Sequence, residues 1–262
     1  MSKFYLISPL ILQTLIWPIT RPLLLFFGRL KILGLENLSG IDRSKGVIFA
    51  VNHSNELDPI LIPACLPFLS AFMPMFYTSR ERAFYKNSGW LQKFYGGWFF
   101  KIWGAHSVNS GKKNYEISLS NHIEILKYGK SICVFPEGKK TLDGSLQKGR
   151  GGVAYISERV GSVIVPVCIS NIFKMSVKEF FSRKRHIVIS FGKPLYKKDI
   201  FANNKISSID DYKIGTAVVM SKIAELKNRA LYLSNAPIIS PFVEKGKVKA
   251  GKTKSAEALL NK

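Results

Sequence analysis

Four short stretches of this chain are apolar along nearly their whole length rather than at alternate positions. They are GVIFAV (46–51), SICVF (131–135), VIVPVCI (163–169) and HIVISF (186–191). Their β-branched content marks strands, and the missing alternation marks strands covered on both faces. Between them run segments of helical character. Asp58-Pro59 opens ILIPACL, with Asp expected as the N-cap and Pro at the first helical position. Residues 113–128 place Leu119, Ile123 and Leu126 on one helical face, and Gly129 supplies the stop. FMPMFY (72–77) is expected as a further strand, weakened by Pro74. Ser208 and Asp211 form a capping box before a last helix ending near Leu233. Strands alternating with helices predict an α/β fold: a single domain with a mostly parallel sheet flanked by helices.

The ends of the chain differ from this middle. Residues 4–20, FYLISPLILQTLIWPIT, carry no charge, and LLLFF follows at 23–27. Seventeen helical residues reach about 26 Å, short of a ~30 Å hydrocarbon core. Pro9, Pro18 and the Arg21-Pro22 pair interrupt the run, so two short helices lying in one leaflet are expected, with a single tilted span or a buried core helix as the alternatives. The stretch after Pro241 is rich in lysine and reads as a solvated tail. The expected organisation is a membrane-associated apolar helical segment at 1–31, a catalytic domain at 32–235 and a basic tail at 236–262.

A formal net charge of +22 sits on a chain that is 47% hydrophobic. That pairing excludes a disordered basic protein and a polytopic membrane protein, and leaves a folded core with a cationic surface. Anionic lipid and nucleic acid are the two partners such a surface suits. No helix-turn-helix, RNA-binding or zinc signature is present, so nucleic acid is not expected. Cys65, Cys133 and Cys168 lie in apolar runs without framework spacing. They read as buried free thiols, which suits a reducing compartment.

Ligands of open α/β sheets bind beyond the carboxyl ends of strands. Two segments there carry chemistry: NHSNELD (52–58) and PEGKKT (136–141). His53 and Asp58 are five residues apart and cannot share a helix face, but a strand-to-helix loop can bring them together. A carboxylate on one imidazole nitrogen then leaves the other as a base for a substrate hydroxyl. On spacing alone the plainer reading is favoured: Asp58 as a helix cap and His53 as a packed loop residue. The Pro-Glu-Gly turn offers a carboxylate, a flexible backbone and two cations, suited to a substrate with an anionic group.

Together these blocks resemble the glycerolipid acyltransferase family, whose best-known members are 1-acylglycerol-3-phosphate acyltransferases. NHSNELD matches its Asn-His-x4-Asp block and FPEGKKT (135–141) its Phe-Pro-Glu-Gly block. Lys148-Gly149 matches a Lys-Gly pair that often follows, and IVPVCIS (164–170) resembles its last block, centred on Pro166. The second block usually ends in arginine, whereas GAHSVNS (104–110) has none, with Lys112 and Lys113 nearby. The resemblance implies that His53 is the general base, oriented by Asp58. The hydroxyl is the sn-2 position of lysophosphatidic acid and the donor an acyl-CoA or acyl carrier protein, giving phosphatidic acid. The implied substrate-binding set is Asn52, Phe135, Pro136, Glu137, Gly138, Thr141 and Pro166, with Lys139, Lys140 and Lys148 toward phosphate. Glu137 and Gly138 are expected to hold the acceptor head. No cofactor and no metal are expected. The partners are an anionic phospholipid membrane, the lysophospholipid and the acyl thioester, at the cytoplasmic side of the cell membrane. The alternatives are another lyso-lipid acceptor, a thioester hydrolase, or a basic membrane-surface or nucleic-acid-binding protein without catalysis.

Overall fold

The computed structural model describes residues 3–79, 98–108, 114–201 and 208–235. Seven strands form one sheet among these residues: β1 (Lys31–Leu33), β2 (Val47–Val51), β3 (Met75–Ser79), β4 (Ala105–Ser107), β5 (Ser131–Val134), β6 (Val163–Ser170) and β7 (Val188–Phe191). Their spatial order is β1-β7-β6-β2-β5-β3-β4. Every neighbouring pair is parallel except β6 and β7, which run antiparallel. The expectation of a mostly parallel, helix-flanked sheet is met. β2 is central, with every residue buried, as an uninterrupted apolar run requires.

The strand pleat divides the core in two. Val47, Phe49, Val51, Val165, Val167 and Ile169 face one cluster, while Ile48, Ala50, Ile164 and Cys168 face the other. The first cluster is covered by α1 (Lys3–Phe26), α2 (Asp58–Cys65) and α3 (Trp98–Trp103). On the second lie α4 (Tyr115–Ser118), α5 (Ser120–Lys127), α6 (Gly152–Val160) and α9 (Ile209–Asn235). Two short helices, α7 (Val177–Phe181) and α8 (Lys197–Ile200), flank β7 in sequence. Cys65, Cys133 and Cys168 are buried and unpaired, as expected. Burial pushes the Cys65 thiol up to about 12, which makes it inert as a nucleophile.

Several local expectations are corrected. The 113–128 helix is broken at Leu119 into α4 and α5, and Asn114 caps α4 by accepting from Glu116 N–H. Pro74 precedes β3 rather than sitting in it, because the ladder needs its missing N–H. Asp58 is the first residue of α2, whose N-cap is Leu57 with no side-chain cap bond. The capping box at Ser208 and Asp211 is present as expected. The basic tail at 236–262 lies outside the described residues.

The largest correction concerns the N-terminus, which is one helix of 24 residues with Pro9, Pro18 and Pro22 inside it. At about 36 Å it is long enough to cross a bilayer, and apolar enough by composition. Its continuity has a cause in the contacts of one face. Gln13, Trp17 and Arg21, spaced by four, all reach backbone carbonyls of the domain. Gln13 Nε2 donates to Met75 O (2.7 Å) and Trp103 O (3.0 Å), and Met75 N–H returns a bond to Gln13 Oε1 (2.9 Å). Trp17 Nε1 donates to Leu66 O at 3.0 Å. The Arg21 guanidinium donates to Ala64 O and Cys65 O, both at 2.8 Å, placing a cation at the negative end of α2. The opposite face leaves Leu15, Ile19, Leu23 and Phe26 exposed.

Gln13→Leu removes three buried hydrogen bonds and strands the Met75 N–H. A loss of about 2–3 kcal/mol in urea denaturation in detergent is expected. A change below about 0.5 kcal/mol would contradict the docking role of Gln13.

Candidate active site

Both chemistry-bearing segments emerge at the carboxyl edge of the sheet, one after β2 and the other after β5. Because β2 and β5 are hydrogen-bonded neighbours in register (Ala50 opposite Val134), the two loops leave the sheet side by side. His53 Nδ1 lies 2.9 Å from Asp58 Oδ2. A carboxylate can only accept, so Nδ1 is the donor, and in the neutral imidazole Nε2 keeps its lone pair. The same Oδ2 accepts from Ser54 N–H (2.7 Å) and Asn55 N–H (2.9 Å). Asp58 is 0% exposed, and its other oxygen has no partner among the described residues. The His53 side chain retains 19% exposure. The imidazole is therefore accessible while the group orienting it is not. Asp58 does not cap α2; its Oδ2 is turned back to the loop that precedes it.

The second segment holds His53 from the other side. Phe135 stacks on the imidazole, with ring centroids 4.2 Å apart and planes 21° from parallel. Glu137 Oε1 accepts from His53 N–H (2.9 Å), and Thr141 N–H donates to His53 O (2.9 Å). Glu137 Oε2 accepts from Gln147 N–H at 2.8 Å. Glu137 is thus 2% exposed with both oxygens bonded to backbone. Burial raises its carboxyl above the ordinary value, against the two backbone N–H groups, His53 and Lys227, which pull it down.

The remaining predicted residues are placed as follows. Asn52 is buried and clamps β2 to β6, donating to Ile169 O (2.9 Å) and accepting from Ile169 N–H (2.7 Å). Pro136 is buried, and its carbonyl accepts from Arg150 N–H at 2.8 Å. Gly138 has φ +69, where a side chain would be strained and would also meet the Arg150 side chain. Lys140 forms an ion pair with Glu56. Lys139 and Lys148 are exposed. Thr141 anchors its own turn through Asp143 (3.0 Å) and Gly144 N–H (3.1 Å). Pro166 lies inside β6 opposite Ala50, packed on Gly192, and not among the strand-end residues.

Sequence reading passed over Asn55, Gln147 and Arg150. Asn55 bridges to Ile172 O (3.1 Å) and caps the turn at Leu57 N–H (3.0 Å). Arg150 is exposed beside Gly138 and has no ion-pair partner among the described residues. Its position directly after Lys148-Gly149 was the available signal. Lys112 and Lys113, together with part of the 104–110 stretch, lie outside the described residues. Beside the His53 loop, a cavity of about 290 Å³ is lined by Asn52, Ser54, Gly144, Asn171, Arg185 and Lys227, among others.

A family model described as Acyltransferase matches residues 29–170. The chain is similar to the chloroplastic 1-acyl-sn-glycerol-3-phosphate acyltransferase LPAT1 of Arabidopsis thaliana, with 23% identity over 188 residues, 70% of this chain and 49% of that one. A probable 1-acyl-sn-glycerol-3-phosphate acyltransferase of Mycoplasma pneumoniae is 24% identical over 183 residues, 68% of this chain and 64% of that one. The chain thus spans between about half and two-thirds of the length of these relatives. In fold it is similar to the crystal structure of the 1-acyl-sn-glycerophosphate (LPA) acyltransferase PlsC from Thermotoga maritima. That match has a TM-score of 0.55 at 21% identity, covering 83% of this chain and 79% of that one.

Asp58→Ala leaves the His53 Nδ1–H and two backbone N–H groups without their acceptor, and a loss of about 3 kcal/mol or more is expected. Asp58→Asn keeps an oxygen at the Oδ2 position and is expected to cost about 1–2 kcal/mol. Equal losses for the two variants in chemical denaturation would contradict the triple-acceptor role.

Proposed function

This chain belongs to the acyltransferase family, and we propose that within it the chain transfers an acyl group from a thioester to the sn-2 hydroxyl of lysophosphatidic acid, giving phosphatidic acid. The observation that carries the reading is the contact between the partly exposed His53 imidazole and the fully buried Asp58 carboxylate. Asp58 holds the tautomer with the proton on Nδ1, so Nε2 is the base. His53 Nε2 takes the proton of the acceptor hydroxyl, and its oxygen attacks the thioester carbonyl carbon. As the tetrahedral centre collapses the C–S bond breaks, and the leaving thiolate recovers the proton from His53. No covalent enzyme intermediate is needed, since the base acts on the acceptor directly.

The Phe-Pro-Glu-Gly segment acts here as the support of the base. Phe135 fixes the ring plane, while Glu137 and Thr141 fix the two backbone groups of His53. That leaves the acceptor phosphate to cations around the same turn. Lys140 is held by Glu56, so Lys139, Lys148 and Arg150 are assigned to the phosphate. Arg150 supplies the planar fork that suits phosphate and that the 104–110 stretch lacks. The acyl donor is an acyl-CoA or an acyl carrier protein. α1 holds the protein at the cytoplasmic face of the cell membrane, where the basic surplus meets anionic lipid. No cofactor takes part in the proposed steps.

The experiment is a panel of lysophospholipid acceptors with an acyl thioester, run on wild type, His53→Ala and Asp58→Asn. Wild type is expected to prefer lysophosphatidic acid. His53→Ala is expected to lose about 10²–10⁴-fold in kcat with unchanged near-UV circular dichroism. Asp58→Asn should lose rate with little loss of fold. Retained rates in folded His53→Ala would sink the mechanism. Preference for another lyso-lipid would move the acceptor assignment, and free acid released without acceptor would indicate a hydrolase.

A further inference from the structure

The turn after α1 and the helix α7 meet in a corner with unusual surface chemistry. Val177 is 74% exposed and Phe181 54%, on a helix of only five residues with no buried residue. Phe181 lies against Phe27 (centroids 4.9 Å apart, edge-on), and Phe27 against Phe26 at 4.9 Å. The Arg183 guanidinium covers the Phe26 ring at 4.4 Å from its centroid. Lys174, Lys178 and Lys184 are exposed around the same helix, and Arg29 follows α1. The one acid among residues 173–187, Glu179, is occupied by Arg185 and by Ser176. Exposed aromatic and aliphatic side chains ringed by uncompensated cations suit a surface that is apolar inside and anionic at its rim.

The place of this corner in the fold matters as much as its composition. Lys31 at the start of β1 is level with Val188 at the start of β7, and Val188 is level with Ser170 at the end of β6. The corner therefore stands at the sheet edge from which His53 and the Glu137 turn also emerge. It is continuous with the exposed apolar face of α1, which runs through Leu15, Ile19 and Leu23 to Phe26. That continuity selects a lipid leaflet over a globular protein as the occupant.

We propose that α7 and the end of α1 form a second, interfacial anchor: Val177, Phe181 and Phe26 enter an anionic leaflet while Arg29, Lys174, Lys178, Arg183 and Lys184 contact its headgroups. The anchor sets the catalytic edge of the sheet at the level where a lysolipid hydroxyl is presented. Apolar and aromatic side chains at headgroup depth, flanked by basic ones, are how in-plane helices bind. This inference rests on the lipid-acylation reading for its purpose but not for its measurement.

Because the three native thiols are buried, Val177→Cys in the full chain can be labelled selectively with an environment-sensitive fluorophore. Its emission is expected to shift to the blue on vesicles containing phosphatidylglycerol, and Ile214→Cys on α9 is expected to show no shift. Adding Lys178→Gln, Arg183→Gln and Lys184→Gln should weaken the lipid titration on the order of a hundredfold, about fivefold per charge. Val177→Ser with Phe181→Ser should raise the apparent KM for vesicle-borne acceptor and leave turnover of a water-soluble short-chain acceptor unchanged. No shift at position 177 on any vesicle would overturn the proposal. So would a changed KM for an acidic carrier-protein donor with lipid binding intact, which would make the corner a protein-docking site. A wild type that binds vesicles through Val177 but acylates no lysolipid would instead refute the catalytic reading and leave the anchor standing.

Discussion

One carboxylate oxygen organises the site. Asp58 Oδ2 accepts the His53 imidazole N–H and two successive backbone N–H groups within 2.7–2.9 Å. Burying such a group is costly unless its acceptor capacity is used, and three donors use it. The same bonds bend the chain from β2 into α2, so loop geometry and imidazole orientation are one constraint. A second buried carboxylate, Glu137, does the complementary work from the neighbouring strand. It joins the His53 N–H to the Gln147 N–H and so ties the two strand-end loops together.

That arrangement depends on the sheet. β5 enters between β2 and β3, although β3 precedes it in sequence, and β6 then crosses to the other side of β2. The loops after β2 and β5 are thereby adjacent although 84 residues separate His53 from Glu137. Asn52 adds the link to β6 through Ile169, so all three central strands hold the loop that carries His53. The helical layers differ in task. α5, α6 and α9 close one core, whereas α1 closes the other with one face and leaves an apolar face outward.

The central strands were legible because residues buried on both faces leave an unbroken apolar signature, as in GVIFAV and VIVPVCI. The three-residue edge strands β1 and β4 were not, because KIL and AHS are too short for any pattern to emerge. The proline spacing of the N-terminus suggested two helices. Proline costs about 3 kcal/mol in a helix interior, but that cost is judged for a helix alone. Here the carbonyl contacts of Gln13, Trp17 and Arg21 hold the segment against the domain as one piece. For the site, the residue types and their two blocks were readable, and so was the pairing of His53 with Asp58. The bonds of Glu137 were not: a Pro-Glu-Gly turn with lysines reads as a substrate cradle, and the two backbone bonds of its carboxylate come from pairing with residues that local pattern does not show.

The sequence by itself determined that this chain builds a covered, mostly parallel sheet and that a histidine and a carboxylate stand at its carboxyl edge. It did so because strand burial and strand-end loops are written in local residue patterns. Only the tertiary structure decided which way the carboxylates face. Asp58 turns from the helix it begins to the histidine behind it, where its own loop folds three donors onto Oδ2, and Glu137 turns inward to backbone N–H groups brought up by other segments.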